Sequence, residues 1–216
     1  MKTGMIMSGG NVNSDFALAF MKQHPYEYLI GVDRGIEFLQ QQNLRPTHIV
    51  GDFDSSKAET LYYFKQDTQI KIQKFPPEKD LTDTQIAIAL ALTLCCETIY
   101  ILGGTGTRID HTMANICALA EPAKQGVRCF LVDEYNFIQV TKEPIHLQKT
   151  ELFGRYISLF ALGEDVTGLT LTGFKYPLTE YRMAGADSVG VSNEIVAETG
   201  KISFSSGVLV VAQTTD

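Results

Sequence analysis

The sequence has no tryptophan, so any large aromatic face must come from its 12 Phe or 9 Tyr. Nor does it contain an apolar run near the roughly 20 residues needed to cross a bilayer. The opening stretch MKTGMIMSGG breaks into glycine too early for the apolar centre of a signal peptide. We expect a cytoplasmic protein with no membrane partner. Positive charge is also scarce: Lys and Arg total 18 against 25 Asp and Glu, a net charge of −7. That argues against a general nucleic-acid or anionic-lipid surface, both of which need clustered cations. A small anionic ligand could still bind through a metal ion. Cysteine is limited to Cys95, Cys96, Cys117 and Cys129, with no CxxC spacing and apolar surroundings in sequence. These read as buried free thiols rather than zinc ligands or disulfides.

What is present is an ordinary globular composition, 44% hydrophobic and 20% charged over 216 residues, enough to bury a real core. Short apolar runs read as strands at Met5–Ser8, Leu29–Asp33, His48–Asp52, Ile70–Phe75, Ile99–Gly103 and Val127–Val132. Amphipathic stretches between them read as helices over Ser14–Gln23, Ile36–Gln42, Lys57–Lys65, Leu81–Leu94 and Ile109–Lys124. Strands alternating with helices predict an α/β domain with a doubly wound, largely parallel sheet covered on both faces. Beyond about residue 141 the helical period disappears. Pieces such as RYISLFAL, VTGLTLTGF and GVLVVAQT, separated by turns, predict a small antiparallel β-sandwich. The expected division is 1–140 and 141–216.

In an open α/β sheet, ligands bind beyond the carboxyl ends of the strands, so polar residues there are the ones to collect. The first strand ends in SGGN, with Gly9 and Gly10, and the second in GVDRG, with Asp33 and Arg34. Glycines at such turns let amides approach a phosphate, although a tight turn alone also explains them. The third strand ends in GDFDS. On extended backbone Asp52 and Asp54 would share a side, a geometry suited to a divalent cation, with Phe53 turned into packing. The alternative is that Asp54 or Ser55 caps the next helix. After the fourth strand, Asp80 and Asp83 are spaced as N-cap and N3 of a helix, and helix-end electrostatics alone would welcome both. Two acidic pairs on one crevice would repel unless cations neutralised them, and hard oxygen ligands favour magnesium shared with phosphates.

The fifth strand ends in GGTGTRIDHTMANI. Gly103, Gly104 and Gly106 offer a loop with open amides, while Thr105, Thr107 and Arg108 add donors for phosphate oxygens. Asp110 falls near a helix start and could be a cap, and His111 reads as a packing histidine. Acids, a glycine loop and an arginine in one crevice suit phosphoryl-type transfer on a metal-bound nucleotide.

GDFDS (51–55), KDLTDTQIAI (79–88), GGTGTRIDHTMANI (103–116), YISLFAL (156–162), GFKYPL (173–178) and GVSNE (190–194), in this order, closely resemble the thiamine pyrophosphokinase family over essentially the whole chain. The resemblance implies an ATP-binding α/β domain, a thiamine-binding sandwich and a homodimer with active sites between subunits. It implies a magnesium-dependent reaction of ATP with thiamine that gives AMP and thiamine diphosphate. It further implies that Asp52, Asp54, Asp80 and Asp83 handle magnesium and pyrophosphate, and that Arg108 and Asp110 lie near the nucleotide and the reacting centre. Ser192 and Asn193 are implied to contact thiamine; from sequence alone they read as a β-turn. Some family members carry an aromatic near the thiamine rings; here such stacking comes from a Tyr or Phe or is absent. Either Asp83 or Asp110 would orient the attacking hydroxyl. The alternatives are a kinase or nucleotidyltransferase for another small alcohol, or a sensor without turnover. A redox Rossmann protein ranks behind them because the first turn lacks GxGxxG.

Overall fold

The computed structural model describes residues 1–54, 56–76 and 80–216. Ser55 and Lys79, members of the two acidic motifs, lie outside the described residues, as do Pro77 and Glu78. The chain divides into two compact units, one comprising Met1–Ala118 and Val127–Glu134, the other Leu119–Gly126 and Tyr135–Asp216. Among the described residues no helix is long and apolar enough to cross a membrane.

The first unit contains β1 (Thr3–Met7), α1 (Ser14–Gln23), β2 (Tyr28–Val32), α2 (Gly35–Gln41), β3 (His48–Gly51), α3 (Ala58–Lys65), β4 (Lys71–Lys74), α4 (Asp83–Thr93), β5 (Thr98–Leu102), α5 (Ile109–Ala118) and β6 (Arg128–Val132). Its strands lie in the order β4-β3-β2-β1-β5-β6, and every neighbouring pair is parallel. Central strands are apolar on both sides: Met5, Ile6, Met7, Ile99 and Ile101 are fully buried, as a sheet covered on both faces requires. Strand order runs outward from β1 to β4 and then restarts on the other side of β1 at β5. The switch point therefore lies beyond the carboxyl ends of β1 and β5.

The second unit holds α6 (Ala120–Lys124) and the strands β7 (Asn136–Thr141), β8 (Ile145–Gln148), β9 (Tyr156–Ala161), β10 (Val166–Thr172), β11 (Leu178–Met183), β12 (Thr199–Ser203) and β13 (Leu209–Thr214). β7-β13-β9 pair antiparallel, and β11-β10-β12-β8 form a separate antiparallel sheet. Alternate residues of both sheets meet in one core: Ile157 and Leu159 of β9, Leu209 and Val211 of β13, Leu169 and Leu171 of β10, and Ile202 of β12. The fold class is the expected one, a largely parallel sheet with helices and a small antiparallel unit.

Three local expectations are corrected. The helix expected over Ile109–Lys124 is two helices, because the ring of Pro122 would collide with the Ala118 carbonyl four residues earlier. Cys96 and Cys129 are buried free thiols, but Cys95 and Cys117 are exposed. Cys95 follows the end of α4 in a left-handed conformation (φ 60), and Cys117 shares the outer face of α5 with Met113, away from buried Asn115 and Ala118. Finally, β3 stops at Gly51 and Phe53 is left-handed (φ 64), so Asp52 and Asp54 do not form a same-side pair on extended backbone.

Candidate active site

A cavity of about 360 Å³ opens at the switch point, lined by Ser8–Asn11, by Asp33 and Arg34, by Asp83 and Thr84, and by the loop Gly103–Arg108. A larger hollow of about 570 Å³ lies beside the Arg45–Asp67 ion pair and carries none of these groups. The floor of the first cavity is set by close backbone approach. Ser8 N–H donates to the Leu102 carbonyl at 2.8 Å, and Gly10 N–H to the Gly103 carbonyl at 2.8 Å. A Cβ on Gly10 would strike the Thr105 carbonyl oxygen, and one on Gly35 the Met7 carbonyl oxygen. Gly10 thus serves the crevice by letting two loops touch; its amide is already engaged. Gly9 leaves room for the Arg34 side chain, whose Cβ would lie 3.3 Å from a Cβ at that position.

Three carboxylates meet at one wall. Asp33 follows β2 in a left-handed conformation (φ 43), Asp52 follows β3 and Asp83 opens α4. One oxygen from each lies within 4.8 Å of the other two. Gly51 makes this possible, since a Cβ there would strike Asp33 Oδ1. Burial, then the charge of Asp83 and a hydrogen bond shared with it, push the Asp33 carboxyl up to about 7, with Asp52 adding to the effect. Phe53 N–H, donating to Asp33 Oδ1 at 3.4 Å, works against the rise. Such a group of hard oxygen donors fits a divalent cation, which would relieve the repulsion. Asp54 and Asp80 are exposed and stand outside this triad. The Asp54 N–H donates to Asp52 Oδ1 at 3.0 Å, which orients Asp52.

Neither acidic pair takes the expected capping positions, although Asp83 still lies in the first turn of α4, where helix-end electrostatics favours an acid. The N-cap of α4 is Thr82, whose hydroxyl accepts from Gln85 N–H at 3.2 Å while Gln85 Oε1 accepts from Thr82 N–H at 2.9 Å. This capping box displaces Asp80 and Asp83 from the N-cap and N3 positions. The N-cap of α3 is Lys57, which makes no side-chain cap, so Asp54 does not cap it either.

Arg108 lines the cavity and Asp110 does not; the Arg108 fork donates to Asp110 through Nε at 3.2 Å and Nη2 at 2.6 Å, and both side chains are exposed. The hydrogen bond from Arg108 holds the Asp110 carboxyl below its ordinary range. Asp110 sits in the first turn of α5, where Oδ1 also accepts His111 N–H at 3.0 Å. Thr105, Thr107 and Gly104 line the cavity as expected. Sequence reasoning assigned Asp33 to the nucleotide loops and missed its place in the acidic triad. It also passed over the buried Ser8–Thr84 hydroxyl pair (2.8 Å) and Asn115, which donates to the Gly104 carbonyl. The Thr82-x-x-Gln85 spacing was the sequence cue for the cap.

In the second unit, Ser192 is exposed and left-handed (φ 55), as its turn reading requires, and its N–H donates to Ser158 Oγ at 3.0 Å. Asn193 is 3% exposed and its amide is occupied: Nδ2 donates to the Tyr176 carbonyl at 2.7 Å, and Oδ1 accepts Tyr176 N–H at 3.0 Å and Glu194 N–H at 2.9 Å. The Tyr176 ring is 57% exposed, with Lys175 Nζ 5.5 Å from its centre. Glu194 accepts from Lys175 at 2.8 Å and Arg155 at 2.9 Å, and these hydrogen bonds hold its carboxyl down to about 2.

Residues 22–131 match the family model described as thiamin pyrophosphokinase, catalytic domain, and residues 142–209 the one described as thiamin pyrophosphokinase, vitamin B1 binding domain. A Bacillus subtilis protein named thiamine pyrophosphokinase is 33% identical over the full length of both chains. The chain also resembles the crystal structure of a Bacillus subtilis thiamine pyrophosphokinase (TM-score 0.87, 32% identity, all of both chains). A second similar structure is that of a Geobacillus thermodenitrificans thiamin pyrophosphokinase (TM-score 0.83, 30% identity, 100% of this chain and 98% of the other). A Candida albicans thiamin pyrophosphokinase shares the fold at 18% identity, with a TM-score of 0.82 over 99% of this chain and 89% of the other.

Proposed function

The chain belongs to the thiamine pyrophosphokinase family, and we propose that it transfers the pyrophosphoryl group of ATP to the hydroxyl of thiamine. The hydroxyl oxygen attacks the β-phosphorus, the bond from that phosphorus to the α–β bridging oxygen breaks, and AMP leaves with that oxygen. The hydroxyl proton passes to a carboxylate, Asp83 of the cavity lining or Asp110 beside Arg108. The observation that carries this reading is the meeting of Asp33, Asp52 and Asp83, two of which, Asp33 and Asp83, line the switch-point cavity together with the glycine loop and Arg108.

Asp33, Asp52 and Asp83 would hold Mg²⁺, and the exposed Asp54 and Asp80 are available to it as well. When bound, the ion neutralises charge on the phosphate chain. Residues 1–140 supply the nucleotide contacts in this reading: Gly9, Asp33 and Arg34 on one side, Gly104, Thr105, Thr107 and Arg108 on the other. Gly10 shapes the same loops by close approach. Arg108 steadies the phosphates as a planar fork, and Asp110 keeps that fork oriented while the site waits.

Residues 141–216 take part in binding thiamine. In this reading the exposed Ser192 touches the substrate, whereas Asn193 acts by fixing the backbone of Tyr176, an exposed aromatic of this region. A homodimer with shared active sites, resting on the sequence resemblance, and a cytoplasmic location, resting on the reading of composition and opening residues, complete the proposal. The deciding experiment incubates the protein with ATP, Mg²⁺ and thiamine and separates the products by chromatography. Equal amounts of AMP and thiamine diphosphate, both lost on chelation with EDTA, are expected. ADP with thiamine monophosphate would replace the reading with an ordinary kinase. A monomeric mass by light scattering at assay concentration would remove the dimer.

A further inference from the structure

One buried side chain fixes the glycine loop between β5 and α5. Asn115, 6% exposed on the inward face of α5 beside Ala118, donates Nδ2 to the Gly104 carbonyl at 2.6 Å. No side chain fits at Gly104, because a Cβ there would strike Leu131 Cδ1. The carbonyl one residue earlier, on Gly103, is held by Gly10 N–H at 2.8 Å. Two successive peptide planes are thus oriented by named donors.

A trans peptide keeps its C=O and the following N–H in one plane and pointing opposite ways. The described peptides are all trans. With the Gly104 carbonyl directed at α5, the Thr105 N–H is turned away from that helix. With the Gly103 carbonyl directed at Gly10, the Gly104 N–H is turned away from the β1 loop. Among the described residues neither N–H donates to a protein acceptor, although Gly104 is buried. Buried amides are rarely left unpaired in a native protein. Both residues line the switch-point cavity.

We propose that Asn115 is a positioning residue that locks the Gly104–Thr105 peptide so that the loop amides present themselves to a phosphate oxygen of the bound nucleotide. The inference rests on the nucleotide reading above and adds a residue to it. Without Asn115 the glycine-flanked peptide is free to turn, and the crevice loses fixed donors rather than charge.

Two measurements test this. The first is calorimetric binding of an ATP analogue carrying a methylene between the α- and β-phosphorus, with Mg²⁺, to the wild-type protein and to Asn115→Leu, a side chain of similar volume with no donor. Loss of one oriented contact predicts affinity weaker by about 5- to 10-fold. In turnover, the KM for ATP should rise by a similar factor while the KM for thiamine holds, the pattern of lost uniform binding to one substrate. Equal affinity in the variant, or parallel rises in both KM values, would overturn the proposal. The second measurement needs no substitution: amide hydrogen exchange of the wild-type protein should show Thr105 N–H exchanging fast alone and protected by the analogue. Exchange unchanged by the bound analogue would also overturn it. A wild-type protein that fails to bind the analogue at all would remove the nucleotide reading together with this one, whereas equal binding by Asn115→Leu removes this one only.

Discussion

Two clusters of charge in this protein use carboxylates in opposite ways. In the first unit, Asp33, Asp52 and Asp83 face one another, and burial with like charge drives the Asp33 carboxyl up to about 7. In the second, Glu194 sits between Lys175 and Arg155, and its carboxyl falls to about 2. The same chemical group is destabilised as an anion in one place and stabilised in the other, because the neighbours differ in sign. The first arrangement is a group of hard oxygen donors that suits an incoming cation. The second is complete as it stands.

The sharpest way to break this contrast is to remove a member of the acidic triad. Asp52→Asn should lower kcat by about 10²- to 10³-fold if the group holds the metal. Because the substitution also relieves repulsion, the metal-free protein should melt no earlier than wild type. Added Mg²⁺, binding only the folded state, should raise the melting temperature of wild type far more than that of the variant. Steady-state kinetics and differential scanning calorimetry would read both. Near wild-type turnover would take Asp52 out of the reaction.

A second, smaller effect is expected in the other unit. Asn193→Ala removes the hydrogen bonds of a buried amide to the Tyr176 backbone and to Glu194 N–H, which costs about 1–3 kcal/mol. Urea unfolding should register that loss, and the KM for thiamine should rise while the KM for ATP stays put. An unchanged unfolding midpoint would mean that water replaces the lost amide without penalty.

The smallest effect belongs to Glu194. Its folded carboxyl is depressed from the ordinary 4.5 to about 2, so its contribution to stability is complete above 4.5 and disappears as the pH falls through about 2. Glu194→Gln should therefore be slightly less stable than wild type at neutral pH and indistinguishable from it at pH ~2. Added salt should shrink the neutral-pH difference, since the partners are exposed. Urea midpoints at the two pH values would show it.

Much of the fold could be read from the residues. Ser14–Gln23 is a helix with the expected limits, because Asn13 caps it and an apolar stripe recurs at helical spacing. The central parallel strands announced themselves as apolar runs without alternation. Pro122 was visible too, yet the amphipathic pattern ran through it and hid the break. The site was legible in its components and less so in its grouping. Asp52 and Asp83 were chosen for their positions at strand ends, and they do meet. Asp33 joins them for a reason no local pattern carries: Gly51, eighteen residues further on and without a Cβ, leaves space for its carboxylate. Asn115 was likewise invisible, since an asparagine in a helix declares nothing until the carbonyl it serves is known.

The split at Pro122 has a consequence for anyone who would treat the two units as interchangeable parts. The chain leaves the first unit after Ala118, returns to it at Val127 and leaves again after Glu134, so the two are sewn together by three passages rather than joined by one tether. No single cut separates them. A fragment ending at residue 134 would retain Leu119–Gly126, whose Leu119 is fully buried in the intact protein, without the strands that belong to the same unit. Recombining this scaffold with another's substrate-binding half would require moving that short helical piece as well, an exchange of two segments that a crossover at any one point in the gene cannot achieve.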